Sequence, residues 1–152
     1  MSRKPQTSHM ELALAEARRA AAQGEVPVGA VVVSGGGEVL AAAANRTREL
    51  SDPTAHAEIL AIREACRKLG AERLAGCDLW VTLEPCPMCA AAISFARIRR
   101  LYFGASDPKS GGVEHGPRVF DHGTCHHAPE VYGGFSASEA AALLSGFFVE
   151  RR

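Results

Sequence analysis

An excess charge of either sign is missing from this chain. Its 152 residues hold 17 Lys and Arg against 17 Asp and Glu, a formal net charge of zero. That balance neither names nor excludes a nucleic-acid partner, because a basic patch can sit on a neutral protein. Long apolar runs are missing too, and none approaches the ~18 residues of a membrane span. The stretch Met1 to Ser8 is polar and lacks the apolar segment of a secretory signal, so no export is expected. No internal repeat and no linker-like stretch interrupts the sequence. A chain of this length buries a core without staples, so one domain over 1–152 is expected. The five cysteines are an odd set. With no sign of secretion the reducing cytoplasm is the expected compartment. There a C-x-x-C pair such as Cys86 and Cys89 is more often a metal or redox site than a structural bridge. The bulk composition, 47% hydrophobic and 22% charged, is that of a soluble globular protein.

The apolar spacing lays out alternating elements. Ser8 and Glu11 fit a capping box ahead of a helix carrying Met10, Ala13, Leu14, Ala17 and Ala21, which Gly24 stops. Val28 to Val33 is β-branched and reads as a buried strand. Gly35 to Gly37 turn the chain, and Val39 to Ala44 returns as a hairpin partner. Asn45 to Asp52 is polar and reads as a loop. Asp52 before Pro53 reads as a cap and first-turn proline, opening a helix through Ile59, Ile62, Cys66 and Leu69 that ends at Gly70. A strand over Leu79 to Leu83, a buried helix over Met88 to Ala96 and a strand over Ile98 to Phe103 follow. A long loop spans Gly104 to Gly134, and such loops are usually functional or conceal short elements. Ser136 and Glu139 predict a second capping box, with a last helix to about Val149. The order predicts an α/β layered fold, parallel in its second half.

Two segments carry the chemistry: Thr54-Ala55-His56-Ala57-Glu58 and Glu84-Pro85-Cys86-Pro87-Met88-Cys89, each at an expected helix start. Imidazole and thiolates bind zinc well, and a catalytic zinc keeps three protein ligands with one position open. His56, Cys86 and Cys89 supply three. The two cysteines, three apart, face one side of a turn, where the helix dipole lowers a thiol pKa from its usual ~8.5. Zinc lowers the pKa of water from ~15.7 to roughly 7, but a departing amine still needs a proton. Glu58, in the same first turn as His56, is placed to move protons as general acid and base, a role typically worth ~10²–10⁴-fold.

The combined pattern H-x-E…P-C-x-x-C is the signature of zinc nucleobase deaminases, a group that includes the tRNA adenosine deaminases. The sequence resembles the bacterial tRNA-specific adenosine deaminases over nearly its whole length. The matching stretches are Glu25 to Val31, Asp52 to Ile59, Val81 to Cys89, Tyr102 to Ala105 and the Phe147-Phe148 pair. Asp107-Pro108-Lys109 and that Phe pair are the features closest to the tRNA branch. The resemblance implies a three-layer α/β/α cytidine deaminase-like fold, with a central mixed five-stranded sheet and helices on both faces. It implies one Zn2+ per subunit, a homodimer, and conversion of the wobble adenosine in an arginine tRNA anticodon loop to inosine. It implies that Asn45 contacts the flipped base and that Asp107, Phe148 and Arg152 lie along the anticodon loop.

Other residues take plainer readings. Cys66 shares a stripe with Ile59, Ile62 and Leu69 and reads as a small buried hydrophobe, Cys77 as strand packing, and Trp80 as core. Cys125, His126 and His127 are adjacent and poorly placed to surround one ion, although His126 or His127 could lie near substrate. Arg46 and Arg48, and Arg97, Arg99 and Arg100, read as solvated charge with phosphate contact as the alternative. Glu84 reads as a residue that caps or orients a loop. Two rival functions stand beside the tRNA reading. A deaminase of a free base or nucleoside, guanine or cytidine, needs a small closed pocket. A structural zinc module needs a fourth ligand, for which His115, His122 or Cys125 are candidates, and leaves Glu58 without a role.

Overall fold

A computed structural model of the chain describes residues 8–150, with Ser8 described by its backbone alone. The capping role of Ser8 and the position of Arg152 lie outside the described residues.

Helix α1 (Ser8–Ala22) buries Met10, Ala13, Leu14, Ala17 and Ala20, the one-sided stripe expected from its spacing. Strands β1 (Gly29–Val33) and β2 (Val39–Ala44) form an antiparallel hairpin with an irregularity in register between Val32 and Val33. The next elements are α2 (Ala57–Leu69), β3 (Asp78–Leu83), α3 (Pro87–Phe95) and β4 (Arg100–Ala105). The last are the short β5 (Glu130–Tyr132) and α4 (Ala137–Glu150).

The sheet order is β2-β1-β3-β4-β5. β1 runs antiparallel to β2 and β3, while β3, β4 and β5 are parallel, so the sheet is mixed. All five residues of β1 are buried because both faces are covered. Ala30 and Val32 point to a core shared with Ala57, Ala61, Ala65, Ala90 and Ile93 of α2 and α3. Val31 and Val33 point to a second core with Leu14 of α1 and Ala140 of α4. The result is three layers, α/β/α. Among the glycines of the described residues, the tightest approach is at Gly29, where an added Cβ would lie 1.9 Å from the Ala13 carbonyl oxygen. The lack of a side chain there lets α1 seat on the sheet. Trp80 is half-buried and stacks on Tyr102 with ring centroids 4.0 Å apart, against the second core.

Two expectations need correction. The second helix starts at Ala57, not at Pro53. The Asp52 carboxylate accepts from the Thr54 N–H at 2.9 Å and the Thr54 hydroxyl at 2.7 Å, and this local turn takes up the bonds a helical start would have made. The chain then stays extended through His56 (φ −75, ψ 153). At the head of α4, Ser136 has a left-handed φ of 55° rather than the extended geometry of an N-cap, and Glu139 accepts from Arg18 at 2.6 Å. The long segment from Gly104 to Gly134 does conceal short elements, one of its two expected readings: β5 and a 3-10 turn at Val119–Asp121.

Candidate active site

The site lies where two helices begin. β3 delivers the chain into Glu84 and Pro85, and α3 opens with Cys86 at its N-cap and Pro87 in its first turn. α2 opens with His56 at its N-cap. The two cap side chains face each other across the gap between the helix starts. His56 Nδ1 lies 3.6 Å from Cys86 Sγ and 3.5 Å from Cys89 Sγ, and the three ligand atoms fall within 4.8 Å of one another. A tetrahedral zinc with Zn–S near 2.3 Å and Zn–N near 2.05 Å separates N from S by about 3.6 Å. The donor set and its spacing therefore fit one Zn2+.

Among the described residues this is the only group of three or more His, Cys, Asp or Glu side chains close enough to hold a metal. Each candidate for a fourth ligand is engaged elsewhere. His115 Nδ1 lies 2.7 Å from Glu84, His122 Nε2 donates to the Pro117 carbonyl at 2.6 Å, and Cys125 Sγ donates to the His127 carbonyl at 3.2 Å. Three protein ligands leave a coordination position for chemistry, against the structural-module reading and against a second metal at 125–127.

Electrostatics separate the roles. The Cys89 thiol hydrogen bonds to Cys86 and, helped by His56, holds Cys86 down to about 4, as a thiolate. Cys89 is pushed well up by the same bond and by burial. The bond to Cys86 raises His56 against the opposing effect of its burial. Glu58, in the first turn of α2, is 4% exposed, and burial pushes its carboxyl up to about 7. A buried acid beside metal ligands, poised between its two protonation states near neutrality, is equipped to take up and release a proton.

Asn45 is buried, and its Oδ1 accepts from the Ala57 N–H at 3.1 Å, which ties the loop after β2 to the head of α2. Glu25, 1% exposed, supports that loop by accepting from the N–H groups of Arg48 (3.1 Å) and Glu49 (2.8 Å). Asp107 and Phe148 line one cleft of about 890 Å³, with Leu83, Lys109 and Val149. Phe148 is exposed and its neighbour Phe147 is buried, so the pair divides between surface and core.

Glu84 orients a loop, as expected, and on a larger scale than expected. Its buried carboxylate accepts from the backbone N–H of Asp107 (3.0 Å), Val113 (3.2 Å), Glu114 (2.9 Å) and His115 (3.1 Å), with His115 Nδ1 at 2.7 Å. Burial pushes this carboxyl up, but those donors outweigh it and hold it below the usual range. The loop wraps so closely that a Cβ at Gly111 would lie 2.4 Å from Glu84 Oε2 and one at Gly112 2.6 Å from Pro87. Glu25 and this nest of donors carry no short sequence motif. The one signal was an acidic residue placed where the chain turns buried.

The other candidates make contacts within the chain. Arg99 makes a paired contact to Asp78 at 3.1 Å, Arg100 meets Glu130 at 3.5 Å, and Arg97 donates to the Ser94 carbonyl at 3.1 Å. Arg46 pairs with Glu49, and Arg48 reaches the Gly24 carbonyl at 3.4 Å. Cys66 packs on the first core and Cys77 is inside it. His127 Nε2 lies 2.7 Å from the Ile98 carbonyl, a bond that anchors the chain before β5.

The layered fold and the three-ligand cluster define a zinc-dependent nucleobase deaminase, and residues 3–105 match the family model of the cytidine and deoxycytidylate deaminase zinc-binding region. Comparison with whole proteins narrows this. A tRNA-specific adenosine deaminase from Agrobacterium fabrum is 64% identical over 146 residues, covering 96% of this chain and 95% of that protein. One from Bacillus subtilis is 44% identical over 144 residues, covering 95% and 89%. A solved structure from studies of A-to-I editing by tRNA:A34 deaminases superposes with a TM-score of 0.90 at 65% identity, covering 91% of this chain and all (100%) of that one. A guanine deaminase from Nitrosomonas europaea shares the fold at a TM-score of 0.82 and 25% identity, covering 98% and 87%. The chain belongs to the tRNA-specific adenosine deaminase family.

Proposed function

We propose that this protein hydrolyses the wobble adenosine of an arginine tRNA anticodon to inosine, releasing ammonia. The observation that carries the reading is Glu58, a buried acid poised near neutrality against the His56, Cys86 and Cys89 cluster. Zinc held by those three residues would supply the Lewis acid that makes water nucleophilic at neutral pH. Glu58 takes the proton from the attacking water and delivers it to the amine as the C6–N bond breaks. Asn45, fixed through its Oδ1, keeps its NH2 donors for the edge of the flipped base. Asp107, Lys109 and the exposed ring of Phe148 offer hydrogen bonding, charge and stacking to the unpaired bases beside it. Arg152 is assigned to the same loop on resemblance.

The partner is the anticodon loop, whose unpaired nucleotide lowers the cost of presenting the base. Since tRNA is cytoplasmic, the protein would act there. No helix among the described residues is long and apolar enough to cross a membrane. A homodimer is part of this reading, supported by Phe95, which is 76% exposed at the end of α3 between two concave patches. Sedimentation equilibrium tests it: a monomer at micromolar concentration would overturn the dimer.

The deciding assay mixes zinc-loaded protein with an arginine tRNA carrying a wobble adenosine. Inosine at that position is the expected result. The likeness to guanine deaminase keeps a free-base reading in view, and efficient ammonia release from guanine or cytidine without inosine in tRNA would establish it in place of ours.

A further inference from the structure

Beside the catalytic residues, a concave surface of about 450 Å³ is lined by four arginines, Arg19, Arg46, Arg63 and Arg67, around the small side chains of β2. We propose that this pocket is a subsite for RNA backbone phosphates next to the base being deaminated. The inference rests on the tRNA reading above and adds to it a place where the chain of the substrate is gripped.

The pocket is built at the free edge of the sheet. β2 is the edge strand, and it presents Ala42, Ala43 and Ala44 where larger side chains would fill the space. Edge strands leave backbone donors and acceptors unpaired, which a phosphate or sugar can meet. Lys68 Nζ already donates to the Leu40 carbonyl of this strand at 3.1 Å, adding a further cation nearby. The guanidinium groups of Arg63 and Arg67, one turn apart on α2, have no hydrogen bond or ion pair among the described residues, and Arg63 lies within electrostatic reach of Asp52. Arg19 is engaged with Glu16 and Arg46 with Glu49, and Glu64 is the one carboxylate in the lining. Guanidinium groups suit phosphate because their fork of donors matches its oxygens.

The position of the pocket points to the same substrate. Ala44 leads directly into Asn45, which holds the head of α2, and then into Arg46 of the pocket. Along α2, Arg63 and Arg67 follow Glu58 by about 7.5 and 13.5 Å at 1.5 Å per residue. A strand with one base turned into the site would therefore pass its neighbouring phosphates along this helix.

The test measures binding of the anticodon stem-loop of the arginine tRNA across a range of salt. It uses the full, zinc-loaded chain carrying Glu58→Gln, so that no turnover disturbs equilibrium. Adding Arg63→Gln and Arg67→Gln should weaken binding about tenfold and reduce the slope of log K against log salt by about 1.4, near 0.7 per single-strand phosphate. Arg63→Glu with Arg67→Glu should weaken it further. Arg18→Gln, an exposed arginine of α1 outside this pocket and outside the patches beside Phe95, should keep the parent slope. An unchanged slope in the double variants, or an equal loss from Arg18→Gln, would overturn the subsite. So would new self-association of the double variants with unaltered RNA binding, which would make these arginines guards of the β2 edge. Inosine formation by the unmutated chain on the same RNA separates the two claims. Inosine with an unchanged slope sinks the subsite alone, whereas no inosine sinks the tRNA reading on which it rests.

Discussion

Glu58 is held where a carboxyl group is least at home. Burial raises it from 4.5 to about 7, and the Cys86 thiolate adds to the rise while His56 opposes it. Replacing its acid with the isosteric amide in Glu58→Gln should keep zinc bound and lower inosine formation by ~10²–10⁴-fold, since proton delivery is what is lost. Full activity in that variant would remove Glu58 from the mechanism. The same residue makes stability depend on pH in the zinc-free protein. The native state prefers the protonated form, so its advantage is complete below the unfolded value of 4.5. It is lost as pH rises through about 7. Between pH 5 and 8, zinc-free wild type should lose on the order of 2 kcal/mol more than zinc-free Glu58→Gln, in which position 58 carries no titratable group. Urea unfolding at the two pH values reads the difference, and parallel profiles would contradict it.

At the scale of elements, the segment from 106 to 115 has little secondary structure and takes its shape from one side chain. Glu84→Gln would turn an acceptor of several N–H groups into a group whose NH2 faces donors. It should destabilise the protein by about 2–4 kcal/mol. Because Asp107 is carried by this loop, KM for tRNA should rise as well. His115→Ala, which removes one contact to Glu84, should do less on both counts, and thermal melts with steady-state kinetics compare the two. This is also where the sequence was hardest to read. Elements with a periodic apolar pattern, α1 and β1 above all, could be placed from spacing, and the H-x-E and P-C-x-x-C segments exposed the metal ligands because that chemistry requires fixed residue types. The Glu84 nest uses backbone donors, which every residue has, so no side-chain pattern marks it. β5 is three residues long and completes its hydrogen bonds only through β4, a partner distant in sequence. α2 starts later than its cap signal predicts because Asp52 and Thr54 satisfy each other locally, and a capping residue followed by proline looks the same in both situations.

Over the whole molecule, the metal site joins two halves of the fold. His56 is carried on the helix that follows the β1–β2 hairpin, and Cys86 and Cys89 on the helix that follows β3. α2 and α3 cover the same face of the sheet, and their N-termini converge at the cluster. An ion bound there would tie together segments thirty or so residues apart in the chain, and the unfolded chain holds no such preformed site. Free zinc at 100 times its dissociation constant would add about 2.7 kcal/mol. For a domain of this size that corresponds to a shift of about 5–10 °C in Tm. Stripping the metal with a chelator should lower Tm by that amount, and readdition of zinc should restore it. Cys86→Ala should lose the metal, melt low, and no longer respond to the chelator. That lack of response separates loss of the ion from ordinary damage to packing, because a variant weakened only in its core would still drop further when zinc is removed. If Cys86→Ala retains one zinc per chain and the chelator response of the wild type, Cys86 is not a ligand and the link between the two helices must be assigned to other residues.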